Sequence, residues 1–412
     1  MPDANISVAS NLADNSDTPT FRSLLGPNDL GDFRARIHAK MPLLVRGARG
    51  KYADLFSWSS LTDVLNLGVG PSSSLKLNLD GRFIPVDNHR EVHAALKQGA
   101  TLIVENVDRL DKNLARFLDR LSGETHTPTR FNLYASPTGK QGYKIHYDTH
   151  DVFVLQIEGQ KDWFVFPSTI EQPLYFQKRH SVTPPPLDKP ELTCTLKKGD
   201  LLYIPKGHWH YAVASSEPSL HLTLGFFIRT GIDLLAWIVD ELRDTVSVRA
   251  ELPLRLGTGL TGLPEQRAAF DDAIPPLVDA VTSVLTDPTL AERFWKHGLV
   301  SAKNRQPYSL PSQIVTLPAG EAPEHFVRHP HPYSLDRTSE GNSVLTVCGQ
   351  SYEISEVIAG AVSLIFSRDI VSKMDLLSAA PALEWEAIWP IVRELMQDGV
   401  LRELPFSGTP DA

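Results

Sequence analysis

Residues 132–166, NLYASPTGKQGYKIHYDTHDVFVLQIEGQKDWFVF, and residues 194–214, CTLKKGDLLYIPKGHWHYAVA, decide the fold of this 412-residue chain. Both stretches consist of short β-branched and aromatic runs that are separated by proline and glycine turns. From position 130 to 228, seven or eight such runs follow one another at close spacing, a pattern typical of a β-sandwich or barrel. The sequence therefore predicts a mainly β domain with helices around it.

The segments on either side of this centre have other patterns. Residues 19–125 mix helical and extended patterns, and residues 230–299 are helical with a broad amphipathic face. Residues 303–333 are rich in proline and histidine, which indicates a linker. Residues 343–404 alternate strands and helices in an order that resembles a winged helix.

Charge and composition limit the classes of function. A net charge of −9, with 42% hydrophobic and 22% charged residues, indicates a soluble globular protein without a broad basic surface for nucleic acid. No run of 18 apolar residues is present, so we expect no membrane span. Residues 1–18 lack the pattern of a signal peptide. The two cysteines lie far apart, which fits a reducing cytosol and predicts a cytoplasmic location.

The strongest local signal is His146-Tyr147-Asp148. On a strand, residues two apart point to the same face, so the imidazole and the carboxylate project side by side. A histidine from a distant strand would complete a two-histidine, one-carboxylate site, which suits Fe(II) and leaves coordination positions open. His210 is the candidate and His208 is its competitor. An isolated His-x-Asp pair is common without a metal, but the β-rich setting and the second histidine cluster favour a metal site.

Lys161 is the second candidate functional residue. An Fe(II) enzyme that uses 2-oxoglutarate needs a fixed cation inside its barrel to bind the distal carboxylate. A lysine beside apolar and aromatic residues either extends to the surface or pairs with an anion inside the fold. Next to a metal triad, the second interpretation is favoured.

The two opening stretches resemble the JmjC oxygenases. More narrowly, they are similar to the ribosomal-protein hydroxylases of that family, which include bacterial arginyl and eukaryotic histidyl hydroxylases. That family has Asn-x-Tyr ahead of His-x-Asp, a Lys or Arg fifteen residues after the first His, and a final His five residues after a Pro. Asn132, Tyr134, Lys161 and His210 match this pattern. The resemblance is dense over residues 130–228 and architectural elsewhere.

The resemblance implies a JmjC double-stranded β-helix, or cupin-like, barrel that uses Fe(II), 2-oxoglutarate and O2. It assigns the iron to three ligands: His146, Asp148 and His210. It assigns the distal carboxylate of 2-oxoglutarate to Lys161, places Asn132 near the iron and cosubstrate, and places Tyr134 near the cosubstrate or substrate. His150 and Asp151 lie close to the motif, and their role is left open.

The resemblance also implies an order of domains. We expect a flexible tail (1–18), a JmjC catalytic domain (19–229), a helical dimerisation segment (230–302), a linker (303–340) and a winged-helix-like domain (341–412). The helical segment then implies a homodimer.

The activity implied is hydroxylation at Cβ of an arginine or histidine side chain in a protein or peptide, with a ribosomal protein as the expected substrate. The acidic chain suits such a basic partner. Three alternatives stay open: a tailoring hydroxylase that acts on a natural-product precursor peptide or carrier-bound amino acid, a methyl-lysine demethylase, and a non-enzymatic cupin-type binding protein. The same fold serves all of them.

Two further patterns favour structural roles. The last helical stretch of the winged-helix-like domain is acidic, which disfavours DNA binding. Its residues Trp385, Ile388, Trp389 and Leu395 are expected in a core or an interface. In RHPHPY, residues 328–333, two histidines alternate with prolines like a metal pair, but a solvated loop is the favoured interpretation.

Overall fold

The structure is a computed structural model. It describes residues 20–26, 40–67, 74–85, 87–139, 142–175, 182–254, 264–301, 317–339 and 341–404, with isolated positions 31, 33, 34, 177, 308, 310, 313 and 314. The chain divides into two compact units, one formed by residues up to 118 with 130–226, and the other by 119–129 with 227 onward. The predicted tail, residues 1–18, lies outside the described residues.

The first unit is built mainly from strands. They are β1 (Leu43–Val45), β2 (Leu75–Leu79), β3 (Arg82–Ile84), β4 (Thr101–Val104), β5 (Thr129–Ser136), β6 (His146–Tyr147), β7 (Asp151–Glu158), β8 (Gln160–Phe166), β9 (Leu192–Lys197), β10 (Leu201–Ile204), β11 (Trp209–Ala214) and β12 (Ser219–Phe226). The helices are α1 (Phe21–Leu24), α2 (Trp58–Asn66), α3 (His89–Lys97) and α4 (Lys112–Thr125), whose last turns belong to the second unit.

Two sheets organise these strands. The larger has the order β1-β10-β7-β12-β5-β4-β2-β3, and the smaller has the order β6-β11-β8-β9. β7 lies inside the larger sheet and is buried along nearly its whole length, which explains its continuous apolar run. The mainly β domain predicted for residues 130–228 is confirmed, and the described part of residues 19–125 mixes strands and helices as predicted.

The smaller sheet positions the candidate ligands. β11 pairs with β6 in antiparallel register, with His210 opposite His146 and Trp209 opposite Tyr147. Directly opposed residues of an antiparallel pair project to the same face. The pairing therefore brings the two histidines side by side, although 63 positions separate them in the sequence.

The helical segment of the second unit comprises α5 (Gly231–Glu241), α6 (Val246–Arg249), α7 (Pro264–Leu285) and α8 (Leu290–Ser301). A capping box between Thr230 and Asp233 begins α5. Trp237 and Ile238 of α5 are buried in a cluster with Leu242. The helices predicted from the 3.6-residue periodicity are thus confirmed.

The remaining elements of the second unit form two three-stranded sheets and three helices. They are β13 (His325–Arg328), β14 (Tyr333–Arg337), β15 (Ser343–Val347), β16 (Gln350–Ile354), α9 (Glu356–Ser367), β17 (Ile370–Ser372), α10 (Lys373–Ala379), α11 (Trp385–Gln397) and β18 (Leu401–Glu403). The sheet orders are β17-β13-β18 and β14-β15-β16.

The prediction that residues 303–340 form a linker is wrong for the C-terminal part of that range. β13 pairs with β17 and β18, and β14 pairs with β15, so both strands belong to the second unit. His331 between them is only 2% exposed, which also corrects the solvated-loop interpretation of residues 328–333. Pro330 and Pro332 lie between the two strands and outside both, where the missing N–H of proline breaks no ladder hydrogen bond.

The core residues predicted in the acidic helix α11 are confirmed. Trp385, Ile388, Trp389 and Leu395 are all buried in the main hydrophobic cluster of the second unit. Helix α11 begins at Trp385 and contains Pro390. No helix in the described part of the chain is long and apolar enough to cross a membrane.

Candidate metal centre

Three side chains of the first unit come together as a candidate metal site. The ligand atoms offered by His146, Asp148 and His210 all lie within 4.8 Å of one another. His210 Nε2 is 3.7 Å from Asp148 Oδ2, and the two imidazole centroids are 4.4 Å apart. Two imidazoles and one carboxylate at this spacing fit a divalent transition metal and leave part of its coordination sphere open.

Backbone carbonyls fix the tautomers of both histidines. His146 Nδ1 lies 2.8 Å from the carbonyl oxygen of Lys144, and His210 Nδ1 lies 3.0 Å from that of His208. A carbonyl accepts only, so each Nδ1 carries the proton and donates it. In the neutral rings Nε2 is then the nitrogen available to a metal, and the hydrogen bond holds each ring in orientation.

A tight turn holds the carboxylate in place. Strand β6 ends at Tyr147, so Asp148 lies just beyond it. The carbonyl oxygen of Asp148 accepts a hydrogen bond from the N–H of Gly207 at 2.8 Å. Gly207 has φ +87°, and a Cβ there would lie 2.7 Å from Ser168 Oγ, so glycine suits this position on both counts. The Pro-Gly turn before His210 thus also anchors the first ligand pair.

Lys161 lies at another part of the same cavity, and it is only 3% exposed. Its Nζ donates a hydrogen bond to Ser136 Oγ at 2.9 Å, and it makes no ion pair with any described residue. Burial lowers the pKa of Lys161 to about 7, because a desolvated ammonium is unfavourable. The choice between a surface lysine and an internal one is therefore resolved in favour of the interior.

His221 and Tyr134 form a stacked pair next to Lys161. Their ring centroids are 4.9 Å apart with an angle of 6° between the planes, and both rings line the cavity. Burial, with a smaller contribution from the charge of Lys161, lowers the pKa of His221 well below its usual range. His221 is therefore a neutral imidazole at physiological pH. Its buried Nδ1 has no hydrogen-bond partner among the described residues.

The rest of the cavity is apolar or weakly polar. The lining includes Gly142, Tyr143, Val152, Val154, Trp163, Tyr211, Ala212 and Thr223. The indole of Trp163 lies next to the rings of both His210 and His221, with ring centroids 6.1 and 5.5 Å apart, respectively. Like His221 Nδ1, the buried Trp163 Nε1 finds no partner in the described chain. Buried polar atoms are nearly always paired, so such atoms around a cavity indicate a polar ligand.

The other predicted residues lie in different settings. Asn132 is absent from the lining, and its Oδ1 accepts a hydrogen bond from the N–H of Asn106 at 3.1 Å. Its proposed role near the metal stays a prediction. His208 Nε2 faces Glu191 Oε2 at 3.3 Å and does not join the triad. Asp151 is buried and accepts hydrogen bonds from Tyr203 Oη and the N–H of Lys206, which indicates a structural role.

Sequence reasoning missed several residues of this cavity, chiefly Tyr143, Trp163 and His221. Tyr143 and Trp163 lie inside the stretch that decided the fold, but neither stands at a spacing that predicts a ligand. His221 lies on β12 in the run LHLTLGFF, where a histidine among mostly apolar residues was the available signal. A buried polar residue is more informative than an exposed apolar one.

The comparison with protein families gives a match over residues 103–234, to the JmjC domain. The chain is 28% identical over 234 residues to "Bifunctional lysine-specific demethylase and histidyl-hydroxylase NO66" of Dictyostelium discoideum, covering 53% of this chain and 45% of that protein. It is 32% identical over 267 residues to "Ribosomal oxygenase 1" of Gallus gallus, covering 62% and 44%. This chain thus spans about half the length of the curated relatives it matches.

Solved structures show a similar fold. The crystal structure of YcfD from Escherichia coli superposes with a TM-score of 0.60 at 17% identity, over 91% of this chain and 98% of that one. One YcfD structure, described as a ribosomal oxygenase in complex with cobalt and 2-oxoglutarate, aligns with a TM-score of 0.57. At this identity the likeness concerns the fold alone. Residues 103–234 match the JmjC domain, and this chain is similar in sequence to ribosomal oxygenases over 53–62% of its length.

Proposed function

We propose that this protein is an Fe(II)- and 2-oxoglutarate-dependent oxygenase that hydroxylates Cβ of an arginine or histidine side chain in a protein or peptide, with a ribosomal protein as the substrate. One observation carries the proposal. A single cavity has a two-histidine, one-carboxylate donor set and, deeper in the fold, a buried lysine that forms no ion pair with any described residue. A metal plus a dicarboxylate satisfies both parts.

Each part of the cavity then has a defined task. His146 Nε2, His210 Nε2 and the Asp148 carboxylate would hold the iron. Lys161, with Ser136 beside it, would bind the distal carboxylate of 2-oxoglutarate through a charge-assisted hydrogen bond. When bound, iron and 2-oxoglutarate supply the oxidation of a substrate C–H bond with O2, coupled to decarboxylation of the keto acid. The Trp163, Val152 and Val154 side chains exclude water from this chemistry.

The substrate class rests on the relatives and on charge. Relatives whose names describe ribosomal oxygenases and a histidyl-hydroxylase support a ribosomal protein as the target. A net charge of −9 favours association with a basic protein. A cytoplasmic location, where ribosomal proteins are made, is part of the same proposal.

A homodimer through the helical segment is also part of the proposal. Helices α5 and α7 expose several large apolar side chains: Ile232, Leu235, Val239, Phe270, Ile274 and Val278. Exposed apolar residues at this density are typical of association surfaces. Sedimentation of the wild-type chain and of Val239→Glu tests the point, since a dimer should be weakened by a charge on that face. A wild-type monomer at micromolar concentration would contradict it.

The cofactor chemistry is tested by anaerobic titration of the purified chain with Fe(II) and 2-oxoglutarate. We expect a weak visible charge-transfer band, which His146→Ala abolishes and Lys161→Ala weakens. His208→Ala is the matched control, because that histidine is nearby but contacts Glu191. No band in a wild-type sample, with iron loading shown to fail, would refute the oxygenase and leave the binding-protein alternative.

The substrate is tested by incubating the loaded enzyme with ribosomal proteins and measuring their mass. A gain of one oxygen on an arginine or histidine supports the proposal. Loss of a methyl group from methyl-lysine would instead favour demethylation. An active enzyme that modifies no ribosomal protein but hydroxylates a precursor peptide would favour the tailoring alternative.

A further inference from the structure

The hairpin of β2 and β3 carries an exposed aromatic residue beside the cavity. Phe83 is 54% exposed, although large aromatic side chains are usually buried. It pairs with Asn78, which in turn pairs with Thr101 on β4. Since paired residues project to the same face, Phe83 shares its face of the large sheet with Asn78 and Thr101. Its neighbour Arg82 projects to the opposite face.

A chain of rings connects Phe83 to the metal site. Phe83 and Tyr143 meet edge to face, with centroids 5.4 Å apart. Tyr143 then lies 5.2 Å from the ring of His146, and it is hydrogen-bonded to Tyr134 of the cavity wall. Two ring contacts therefore separate an exposed side chain from a metal ligand. A molecule that contacts Phe83 would therefore lie close to Tyr143, which contacts the metal ligand His146.

Close packing holds the hairpin against the segment that carries Tyr143. Gly81, at the turn of the hairpin, has φ +79°, and a Cβ there would lie 2.6 Å from Lys144 Cγ. The turn thus needs glycine for its backbone conformation and for the space that the Lys144 stem occupies. This contact fixes Phe83 relative to Tyr143.

The same surface holds a cation and a carboxylate. Lys76 Nζ lies 6.0 Å from the centroid of the Phe83 ring and 2.6 Å from Glu105 Oε1. The charge of Glu105 also reaches the tyrosine: burial, followed by the charges of Glu105 and Asp148, raises the pKa of Tyr143 to about 12. The Lys76 ammonium thus already lies between the ring of Phe83 and the carboxylate of Glu105.

We propose that Phe83, Tyr143 and Glu105 form a docking subsite for an arginine side chain of the substrate, next to the residue that is oxidised. A guanidinium is planar, stacks on aromatic rings and binds a carboxylate through two hydrogen bonds, whereas an ammonium does neither as well. Lys76 and Glu105 are both partly exposed, so Lys76 can move into water when a guanidinium arrives. That this arginine belongs to a substrate rests on the proposed function, whereas binding of an arginine side chain at the subsite does not.

The subsite is tested by fluorescence anisotropy with the full chain in EDTA, so that no metal contributes. The probes are labelled hexapeptides of alternating glycine and arginine, or glycine and lysine. We expect the wild type to prefer the arginine peptide. Phe83→Ala should weaken its binding roughly fivefold through loss of stacking, and Glu105→Gln roughly tenfold through loss of the charged acceptor.

Lys76→Met separates recognition from general damage to the fold. Removing the competing ammonium should strengthen binding of the arginine peptide, a change opposite in sign to the other two variants. Tyr175→Ala, which removes another highly exposed aromatic side chain, is the control and should bind like the wild type. Thermal melting of all variants checks that each is folded.

Equal binding of the two peptides by the wild type, or unchanged affinity in Phe83→Ala and Glu105→Gln, would overturn the subsite. Failure of the proposed function has a different signature. Arginine-selective binding that these variants alter, in a protein without the charge-transfer band, would support the subsite and remove the oxygenase. A normal band with arginine-indifferent binding would remove the subsite alone.

Discussion

The two ends of the cavity differ in how they are held and in how much water reaches them. At the metal end, His146 and Asp148 are partly exposed and lie on a two-residue strand and the turn after it. At the other end, Lys161 and Ser136 are buried on the long strands β8 and β5. The metal end depends on ligand geometry that backbone carbonyls fix, whereas the lysine end depends on desolvation. Removing one group should therefore affect the two ends differently.

The largest effect is expected at the metal end. Asp148→Ala removes the single anionic ligand, so metal affinity should fall by more than the roughly 10- to 100-fold that follows loss of an outer partner of a ligand. Isothermal titration with Fe(II) or Mn(II) under anaerobic conditions measures it. Glu191→Gln, which alters a carboxylate next to His208 but outside the triad, is the control. Retained wild-type affinity in Asp148→Ala would show that the metal lies elsewhere.

The second effect is on stability and concerns the lysine end. Burial lowers the pKa of Lys161 to about 7, whereas a lysine in the unfolded chain titrates near its ordinary value of about 10.4. Between these values the unfolded state binds more protons than the folded state. The stability of the ligand-free protein should therefore rise with pH from about 7 to about 10, by up to about 1.4 kcal/mol per pH unit from this group.

Urea denaturation of the wild type and of Lys161→Met at pH 7, 8 and 9 checks this. Subtracting the free energy of unfolding of the variant from that of the wild type cancels the contributions of the titrating groups that the two proteins share. The variant should lack the rise that Lys161 causes. If the free energy of unfolding changed with pH in parallel for the two proteins, Lys161 would keep its ordinary pKa. Desolvation would then not distinguish the lysine end of the cavity from the metal end.

The third effect concerns cosubstrate binding. Lys161→Met should weaken binding of 2-oxoglutarate roughly 10- to 150-fold, the range for loss of a hydrogen bond to a charged group, while metal affinity stays unchanged. Titration of the visible band with 2-oxoglutarate measures it. Lys161→Arg keeps the cation and should recover part of the affinity. A loss of metal binding in Lys161→Met would show that the two ends are not independent.

The smallest effect is expected for the neutral partner of the lysine. Ser136→Ala removes the hydroxyl that accepts from Lys161 Nζ, and should weaken binding of 2-oxoglutarate by about 0.5–1.5 kcal/mol, the contribution of a neutral hydrogen bond. Ser168→Ala, whose hydroxyl bonds to the carbonyl of Ile170 outside the cavity lining, is the control. An effect as large as that of Lys161→Met would make Ser136 a principal binding group.

Much of the fold followed from local patterns. The strands over 130–228 and the helices over 230–299 were predictable because alternation and the 3.6-residue period reflect burial on one face of an element. The strands at 325–328 and 333–337 were not, because proline and histidine dominate the segment and their pairing partners, β17, β18 and β15, come later in the chain. Such pairing over a distance leaves no local signal.

The sequence by itself determined the chemistry of the site. His146 and Asp148 two residues apart, a later histidine after a Pro-Gly turn, and Lys161 at the start of the next strand gave the donor set and the cation. The types and spacing of these residues belong to the covalent sequence, and on a strand residues two apart project to the same face.

Only the tertiary structure decided which groups meet. The register of β11 on β6 selects His210 over His208, and burial turns Lys161 from an ordinary surface charge into one with a lowered pKa. The contact of Phe83 with Tyr143 and the ion pair of Lys76 with Glu105 likewise join separate strands and loops. Contacts of this kind depend on long-range packing, and that packing is set by the whole core and not by any local sequence pattern.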